Sequence, residues 1–147
     1  MYTNYISSTM NKNSAIRFRI LEAMLKDGKW DLSSSVFNGV FSSAASIFAV
    51  QEKELSLLLS HKANVNDKNP RNAGKTALHR LCMESMRYKK QKRFNSNMPT
   101  LNDYVRRIRF LLNNGAEIPA DITENDLPND VKNILKRYKN KQQAMTP

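Results

Sequence analysis

The sequence is poor in the residues that build disulfide-linked, all-β and membrane-spanning proteins. Its single cysteine, Cys82, excludes a disulfide within the chain, which fits a reducing compartment. Four glycines and five prolines in 147 residues supply little of the turn chemistry that an all-β fold needs. No apolar run approaches the ~18 residues of a membrane span, and residues 1–14 lack the apolar region of a secretory signal peptide.

Acidic side chains are also scarce. The chain has 13 Asp and Glu against 24 Lys and Arg, which gives a net charge of +11. Such an excess attracts acidic proteins, nucleic acids and anionic membranes, and charge alone does not choose among them. The two histidines, His61 and His79, and the one thiol offer no spacing for a metal centre. We therefore expect neither a metal nor another cofactor.

Apolar residues recur at spacings of three and four, the period of a helix that is buried on one face. The pattern predicts helices over residues 15–28, 33–50, 51–60, 76–86, 103–113 and 130–138. Gly39 lies inside the second segment and weakens it by about 1 kcal/mol relative to alanine. We expect one domain over 15–138, with a flexible arm at 1–14, a basic insertion at 87–102 and a frayed tail at 139–147.

Two predicted helix ends have similar sequences. Residues 58–63 read Leu-Leu-Ser-His-Lys-Ala, and residues 111–116 read Leu-Leu-Asn-Asn-Gly-Ala. Between them lies the string Gly-Lys-Thr-Ala-Leu-His at 74–79, in which Gly74 suits a tight turn with positive φ and Thr76 suits a helix N-cap. These residues resemble the ankyrin repeat, whose outer helix ends in Leu-Leu-x-x-Gly-Ala and whose inner helix begins Gly-x-Thr-Pro-Leu-His.

The resemblance implies an all-α fold: an ankyrin-type helical solenoid of about three helix-turn-helix pairs with hairpin-like loops. It also implies that the histidine of the motif hydrogen-bonds backbone groups of neighbouring loops. The residues that carry the motif here are Gly74, Thr76, Leu78, His79, Leu111, Leu112, Gly115 and Ala116.

The sequence departs from the ankyrin pattern at three places. Lys62 replaces a C-cap glycine, which costs roughly 1 kcal/mol if it adopts the left-handed conformation. Ala77 replaces the proline of the inner helix. Ala63 and Ala116 lie about 20 residues further apart than one repeat of about 33. Most of the excess is the 87–102 insertion, and Ser85, where a glycine usually ends the inner helix, allows that helix to continue into it.

Residues 74–76 also match the end of a phosphate-binding loop, but Asn69 stands where that motif needs its first glycine, and no buried strand precedes it. The sequence therefore does not predict an NTPase. We interpret His79 as structural and Cys82 as a small buried residue. The acidic residues Asp121, Glu124, Asp126 and Asp130 are explained by the dipole of the following helix. We expect no catalysis.

The basic string at 87–94 allows three interpretations: a solvated loop, a contact patch for an anionic partner, and a nuclear import signal at Lys89–Arg93. Tyr88 and Phe94 flank its charges and either stack on bases or hold the loop against the helices. Trp30 either anchors a partner or covers the end of the helix stack.

The sequence predicts a monomeric, non-catalytic protein-interaction module with an acidic protein partner. Nucleic-acid or anionic-membrane binding through the basic face is the alternative. We expect a cytoplasmic location, with delivery into a host cell as a bacterial effector as a further hypothesis from composition. The predicted partner-binding residues are Lys68, Asn69, Arg71, Asn72, Lys75, Arg80, Met83, Glu84, Arg87, Lys89, Lys90, Lys92 and Arg93.

Overall fold

The computed structural model describes residues 14–28, 30–70, 73–90 and 99–144. Within these ranges the regular structure is helical, which confirms the all-α class. The six α-helices are α1 (Ser14–Lys26), α2 (Val40–Ala45), α3 (Glu52–Ser60), α4 (Ala77–Lys90), α5 (Leu101–Asn113) and α6 (Asn129–Ala144), and two short 3-10 helices lie at Ser35–Phe37 and Glu124–Asp126. None of the helices in the described ranges has the length and hydropathy needed to cross a bilayer.

The chain divides into two compact units, one ending at Ala77 and the other beginning at Leu78. The single domain over 15–138 that the sequence suggests stays a prediction. In the first unit, α3 packs against α1 and α2. Its core is formed by apolar side chains from all three helices, including Leu21, Leu25, Phe41, Ala44, Leu55 and Leu58.

The predicted helix over 33–50 is wrong in extent, because Gly39 divides it. A 3-10 turn comes before this glycine, and only six residues after it form α2. Gly39 has a φ of 89°, and a Cβ there would lie 3.2 Å from the Asn69 side chain and 3.2 Å from Pro70. The residue therefore begins a helix at a close approach of two chain segments, and it does not weaken the middle of one.

In the second unit, α5 packs against α6. Thr100 and Asp103 form a reciprocal capping box at the start of α5, where the Thr100 hydroxyl accepts the Asp103 N–H at 3.2 Å. The core of this unit includes Leu81 and Cys82 of α4, Ile108 and Leu111 of α5, and Val131 and Leu135 of α6.

Two helices in this unit end later than the apolar pattern predicted, and for α4 the sequence analysis allowed this at Ser85. Helix α4 continues to Lys90, and the buried Ser85 hydroxyl donates to the Cys82 carbonyl at 2.7 Å. Helix α6 continues to Ala144, so the segment expected to fray from residue 139 is helical up to that point. Residues 1–13, 91–98 and 145–147, which hold most of the predicted arm, half of the insertion and the end of the tail, lie outside the described residues.

Candidate partner-binding surface

The two similar helix ends adopt the same hydrogen-bonded turn. At the end of α3, the N–H of Ala63 donates to Leu58 at 3.1 Å and that of Lys62 donates to Leu59 at 3.2 Å. At the end of α5, the N–H of residue 116 donates to the carbonyl of 111 at 3.0 Å and that of 115 to 112 at 3.1 Å. This pair of bonds defines the Schellman motif. The sequence similarity therefore corresponds to a repeated local structure.

Both turns pass through the left-handed backbone region. Gly115 has a φ of 90°, and Lys62 has a φ of 73°. Lys62 thus adopts the left-handed conformation on which the sequence argument made its cost conditional. A non-glycine residue there costs about 1–2 kcal/mol, so the packing of the helix must offset a local penalty.

A hairpin joins α3 to α4 and is closed by one antiparallel bridge. Asn69 N–H donates to the Lys75 carbonyl at 3.1 Å, and Gly74 N–H donates to the Asn69 carbonyl at 3.0 Å. Gly74 has a φ of 67°, as predicted, and Ala73 beside it has a φ of 55°. The Asn69 side chain is only 7% exposed and donates to Ser43 at 3.0 Å. Asn69 was predicted as a partner contact, but its side chain instead holds the hairpin in place.

Asp67 fixes the hairpin to the start of α2. Its Oδ2 accepts the Gly39 N–H at 2.6 Å, and its carboxylate also accepts backbone N–H groups of Phe41 and Ser42. Burial raises the pKa of Asp67 above its ordinary value, while these hydrogen bonds act in the opposite direction. Sequence reasoning missed this anchor, because Asp67 and Gly39 are 28 residues apart and no pattern links them.

The hairpin presents basic side chains at its tip. Lys68 is exposed and Lys75 is half-buried, with Ala73 and Gly74 exposed between them. The other two predicted tip residues, Arg71 and Asn72, lie outside the described residues. The hairpin therefore displays at least one exposed cation on a turn that backbone and side-chain hydrogen bonds hold in place.

Helix α4 begins directly after Thr76, which occupies its N-cap position. Leu78 and Cys82 are buried, and burial raises the pKa of Cys82 to about 12, so its thiol is protonated at neutral pH. His79 Nε2 lies 3.6 Å from Asp121 Oδ1. The backbone partners that the resemblance implies for this histidine stay a prediction beside this contact to a carboxylate.

The outer face of α4 carries five of the predicted partner-binding residues at helical spacing. These are Arg80, Met83, Glu84, Arg87 and Lys90, which we call the α4 face. Met83 is 41% exposed, and Arg87 and Lys90 are exposed one and two turns further along. Arg80 Nε contacts Glu84 Oε1 at 2.9 Å, so these two charges are paired with each other.

Glu84 also links α4 to α5. Its Oε2 accepts the Tyr104 hydroxyl at 3.2 Å, and burial, together with the Glu84 carboxylate, raises the pKa of Tyr104. Tyr88 packs edge-on against Tyr104 with ring centroids 5.4 Å apart. Of the two interpretations of Tyr88, the structure supports the one in which it holds the basic segment against a helix.

The basic string that the sequence treated as one unit is divided in the structure. Lys89 Nζ donates to the carbonyl of Asn125, so this lysine ties α4 to the 3-10 helix before α6. Arg87 and Lys90 are exposed. Lys92, Arg93 and Phe94 lie outside the described residues.

The remaining candidates have local structural contacts. Trp30 is half-buried, and its ring is 5.7 Å from that of Phe37. Glu124 pairs with Lys139 at 3.2 Å, and Asp130 lies in the first turn of α6, where a negative charge is favourable. Across the described ranges, no group of three or more Asp, Glu, His or Cys side chains is arranged to hold a metal ion.

Comparison with known protein families finds no family model that matches this chain, and no curated protein or solved structure matches it either. The ankyrin resemblance therefore stays a prediction from the sequence motifs.

Proposed function

We propose that this chain is a non-catalytic interaction module of the ankyrin type that binds an acidic segment of a partner protein. The observation that carries the proposal is the α4 face, where the exposed Met83 lies one turn before Arg87 and two turns before Lys90, both exposed cations. Methionine and arginine are enriched in protein interfaces, in which an apolar centre is surrounded by a polar rim. An acidic partner segment would match the charges around such a centre.

The ankyrin part of the proposal is supported by the repeated Schellman turns and by the hairpin that leads into α4. Each copy combines a buried leucine pattern, a left-handed residue and a following alanine. In the ankyrin family, the hairpin tips and the inner-helix face bind partners. Here those positions correspond to the hairpin with Lys68 and to the α4 face.

Rigidity of the hairpin favours binding. Asp67 and Asn69 hold it through hydrogen bonds to Gly39 and Ser43. Preorganised contact residues lose less conformational entropy when a partner docks, so more of the contact energy appears as affinity. The protonated, buried Cys82 supports the non-catalytic part of the proposal, because a reactive cysteine needs an accessible thiolate.

The proposal is tested by capture of partner proteins with the full chain, followed by quantitative mass spectrometry. The test variant is Arg87→Glu/Lys90→Glu, and the matched control is Arg19→Glu/Lys26→Glu on α1, which reverses two exposed cations outside the α4 face. We expect the original chain and the control to capture the same acidic proteins. The test variant should capture about tenfold less of them or even less, because each close charge pair at an interface contributes over about 1.5 kcal/mol.

Met83→Ala separates the apolar contribution from the charges. Truncation of a central interface side chain costs upwards of about 1 kcal/mol of binding free energy, so we expect weaker capture of the same proteins. Equal capture by the original chain, by Arg87→Glu/Lys90→Glu and by Met83→Ala would contradict the proposed surface. Lys68→Glu applies the same test to the hairpin tip.

A further inference from the structure

A second cationic surface lies on the solvent sides of α5 and α6. On α5 the exposed positions are 102, 106, 109 and 113, which form one stripe along the helix. On α6 the exposed positions include 133, 136, 137, 140 and 141. We call the basic residues of these two stripes the α5–α6 face: Arg106, Arg109, Lys136, Arg137 and Lys141.

A hydrogen bond joins the two helices near the end of α5. Helices α5 and α6 pack against each other, and the Tyr138 hydroxyl of α6 donates to Asn113 Oδ1 of α5. The Lys141 ammonium lies 5.9 Å from the centroid of the Tyr138 ring. Asn113, the last exposed position of the α5 stripe, is therefore bonded to Tyr138, which follows Arg137 in α6 and lies beside the Lys141 ammonium.

Among the residues that the structure describes, no partner neutralises the charges of this face. In the part of the chain that the structure describes, no ion pair or hydrogen bond engages the side chains of Arg106, Arg109, Lys136 or Arg137. The basic residue of α6 that does form an ion pair is Lys139, which contacts Glu124 at 3.2 Å. No acidic residue occurs after Asp130 in the sequence, and Asp103 is occupied by the capping box of α5.

This face differs from the α4 face in having no exposed apolar anchor. The large apolar side chains that are exposed in the described residues are Ile16, Val36, Ile47 and Met83, all outside α5 and α6. Phe110, the aromatic residue within the α5 stripe, is half-buried. A protein interface has an apolar centre, and membrane association of a helix needs apolar side chains to insert. Neither partner matches a surface of this composition.

The sugar-phosphate backbone of a nucleic acid matches the composition of the α5–α6 face. Half to two-thirds of protein–DNA hydrogen bonds go to phosphates and sugars, from Arg, Lys, Asn and similar side chains. Exposed asparagines at 102, 133 and 140 lie among the cations of both stripes. Three of the five charges are arginines, whose planar guanidinium binds a phosphate through two parallel hydrogen bonds.

We propose that the α5–α6 face binds the phosphate backbone of nucleic acid without regard to sequence. This site is separate from the acidic-partner site of the proposed function, because it uses different helices and different residues. A chain with both sites would bring an acidic protein and a nucleic acid together. Either site can fail its test while the other passes.

The test is fluorescence anisotropy with the full chain and a labelled DNA duplex of about 24 base pairs, titrated between about 50 and 200 mM salt. The test variant is Arg106→Glu/Arg109→Glu/Arg137→Glu. The matched control is Arg19→Glu/Lys26→Glu/Lys53→Glu, which reverses three exposed cations of the first unit. Both variants lower the net charge of +11 by the same amount, so a difference between them reports position and not net charge.

We expect the original chain and the control to bind the duplex, and to bind a second duplex of unrelated sequence equally well. The test variant should bind at least about tenfold more weakly, and the slope of log K against log salt should fall by about 0.9 for each lost phosphate contact. Circular dichroism and thermal melting should show that both variants retain the helical fold.

Three results would overturn the proposal. One is no binding of the duplex by the original chain at low salt. Another is an equal loss of affinity in the two variants, because that reports net charge alone. The third is that the original chain binds vesicles of phosphatidylserine and phosphatidylcholine, or polyglutamate, as tightly as it binds the duplex, and that the test variant loses this binding to the same extent.

Discussion

Helices α3 and α5 end in the same turn, although the residue at the left-handed position is a lysine in one and a glycine in the other. Lys62 has a φ of 73° and Gly115 a φ of 90°, and the hydrogen bonds around them match. Glycine is thus the less costly residue for this turn and not a requirement. What the two ends share is a pair of leucines, of which Leu58 and Leu111 are almost fully buried.

The surroundings of the two turns differ. After α3 the chain enters a hairpin that Asp67 and Asn69 tie back to the segment around α2. After α5 the buried Ala116 leads through a 3-10 helix to α6, which packs on α5 itself. We infer that leucine burial specifies the turn, while different neighbouring segments support each copy. Three predictions test this interpretation.

The largest expected effect comes from truncation of the shared leucines. Leu58→Ala and Leu111→Ala each remove a buried side chain, and each should lower the free energy of unfolding by about 2–5 kcal/mol. Urea denaturation followed by circular dichroism measures the change. Ser56→Ala, at an exposed position of α3, serves as the control and should differ little from the original chain. A loss below about 1 kcal/mol for either leucine would show that burial does not specify the turn.

A smaller effect is expected from exchange of the left-handed residues. Lys62→Gly should raise the free energy of unfolding by about 0.5–1 kcal/mol, because it removes a strained backbone conformation but adds chain entropy to the unfolded state. Gly115→Ala should lower it by about 1–2 kcal/mol. No atom lies within 4 Å of the position that a Cβ at Gly115 would take, so steric overlap makes no contribution.

Both exchanges are measured by urea denaturation at one pH. Changes of the same sign in the two variants would contradict the view that backbone conformation alone separates Lys62 from Gly115.

The smallest expected effect on stability is that of Asp67, which anchors the hairpin after α3. Burial raises the pKa of Asp67 above 3.8 in the folded chain. Stability that depends on this group is therefore fully present below pH 3.8 and is lost as the pH rises through the folded-state pKa. We expect the original chain to lose stability relative to Asp67→Asn over that interval.

The measurement compares the urea midpoints of the two proteins between about pH 3 and pH 7, within the range where carboxyl linkage acts. Because the two proteins share all their other titratable groups, the difference between their midpoints removes the contribution of those groups. A gain by the original chain with rising pH would mean that the backbone N–H donors outweigh burial.

Sequence patterns located the helices well where the apolar period was long. The stripe from Val105 to Leu112 predicted α5, whose hydrophobic face is buried as expected. The pattern failed at 33–50, because a helical period does not show that Gly39 must leave room for Asn69 and Pro70. It also placed the end of α6 too early, because the residues after Tyr138 are polar and carry no apolar period.

The candidate binding residues were only partly predictable. Exposure of Lys68, Met83 and Arg87 follows from their place in a loop or on the polar side of a helix. The internal contacts of Asn69 and Lys89 could not be predicted from the sequence, because each depends on a partner more than 25 residues away. The α5–α6 face escaped sequence reasoning for the same reason, since its charges are scattered over residues 106–141.

The sequence by itself determined the helical class, the excess of positive charge and the two repeated helix ends, because these depend on composition and on residues close together in the chain. The tertiary structure decided which cations are exposed and which are tied to the fold. It also decided that Gly39, Asp67 and Asn69 form one anchor, and that Tyr138 of α6 bonds Asn113 of α5. Those features arise from contacts between distant segments, and local periodicity carries no information about them.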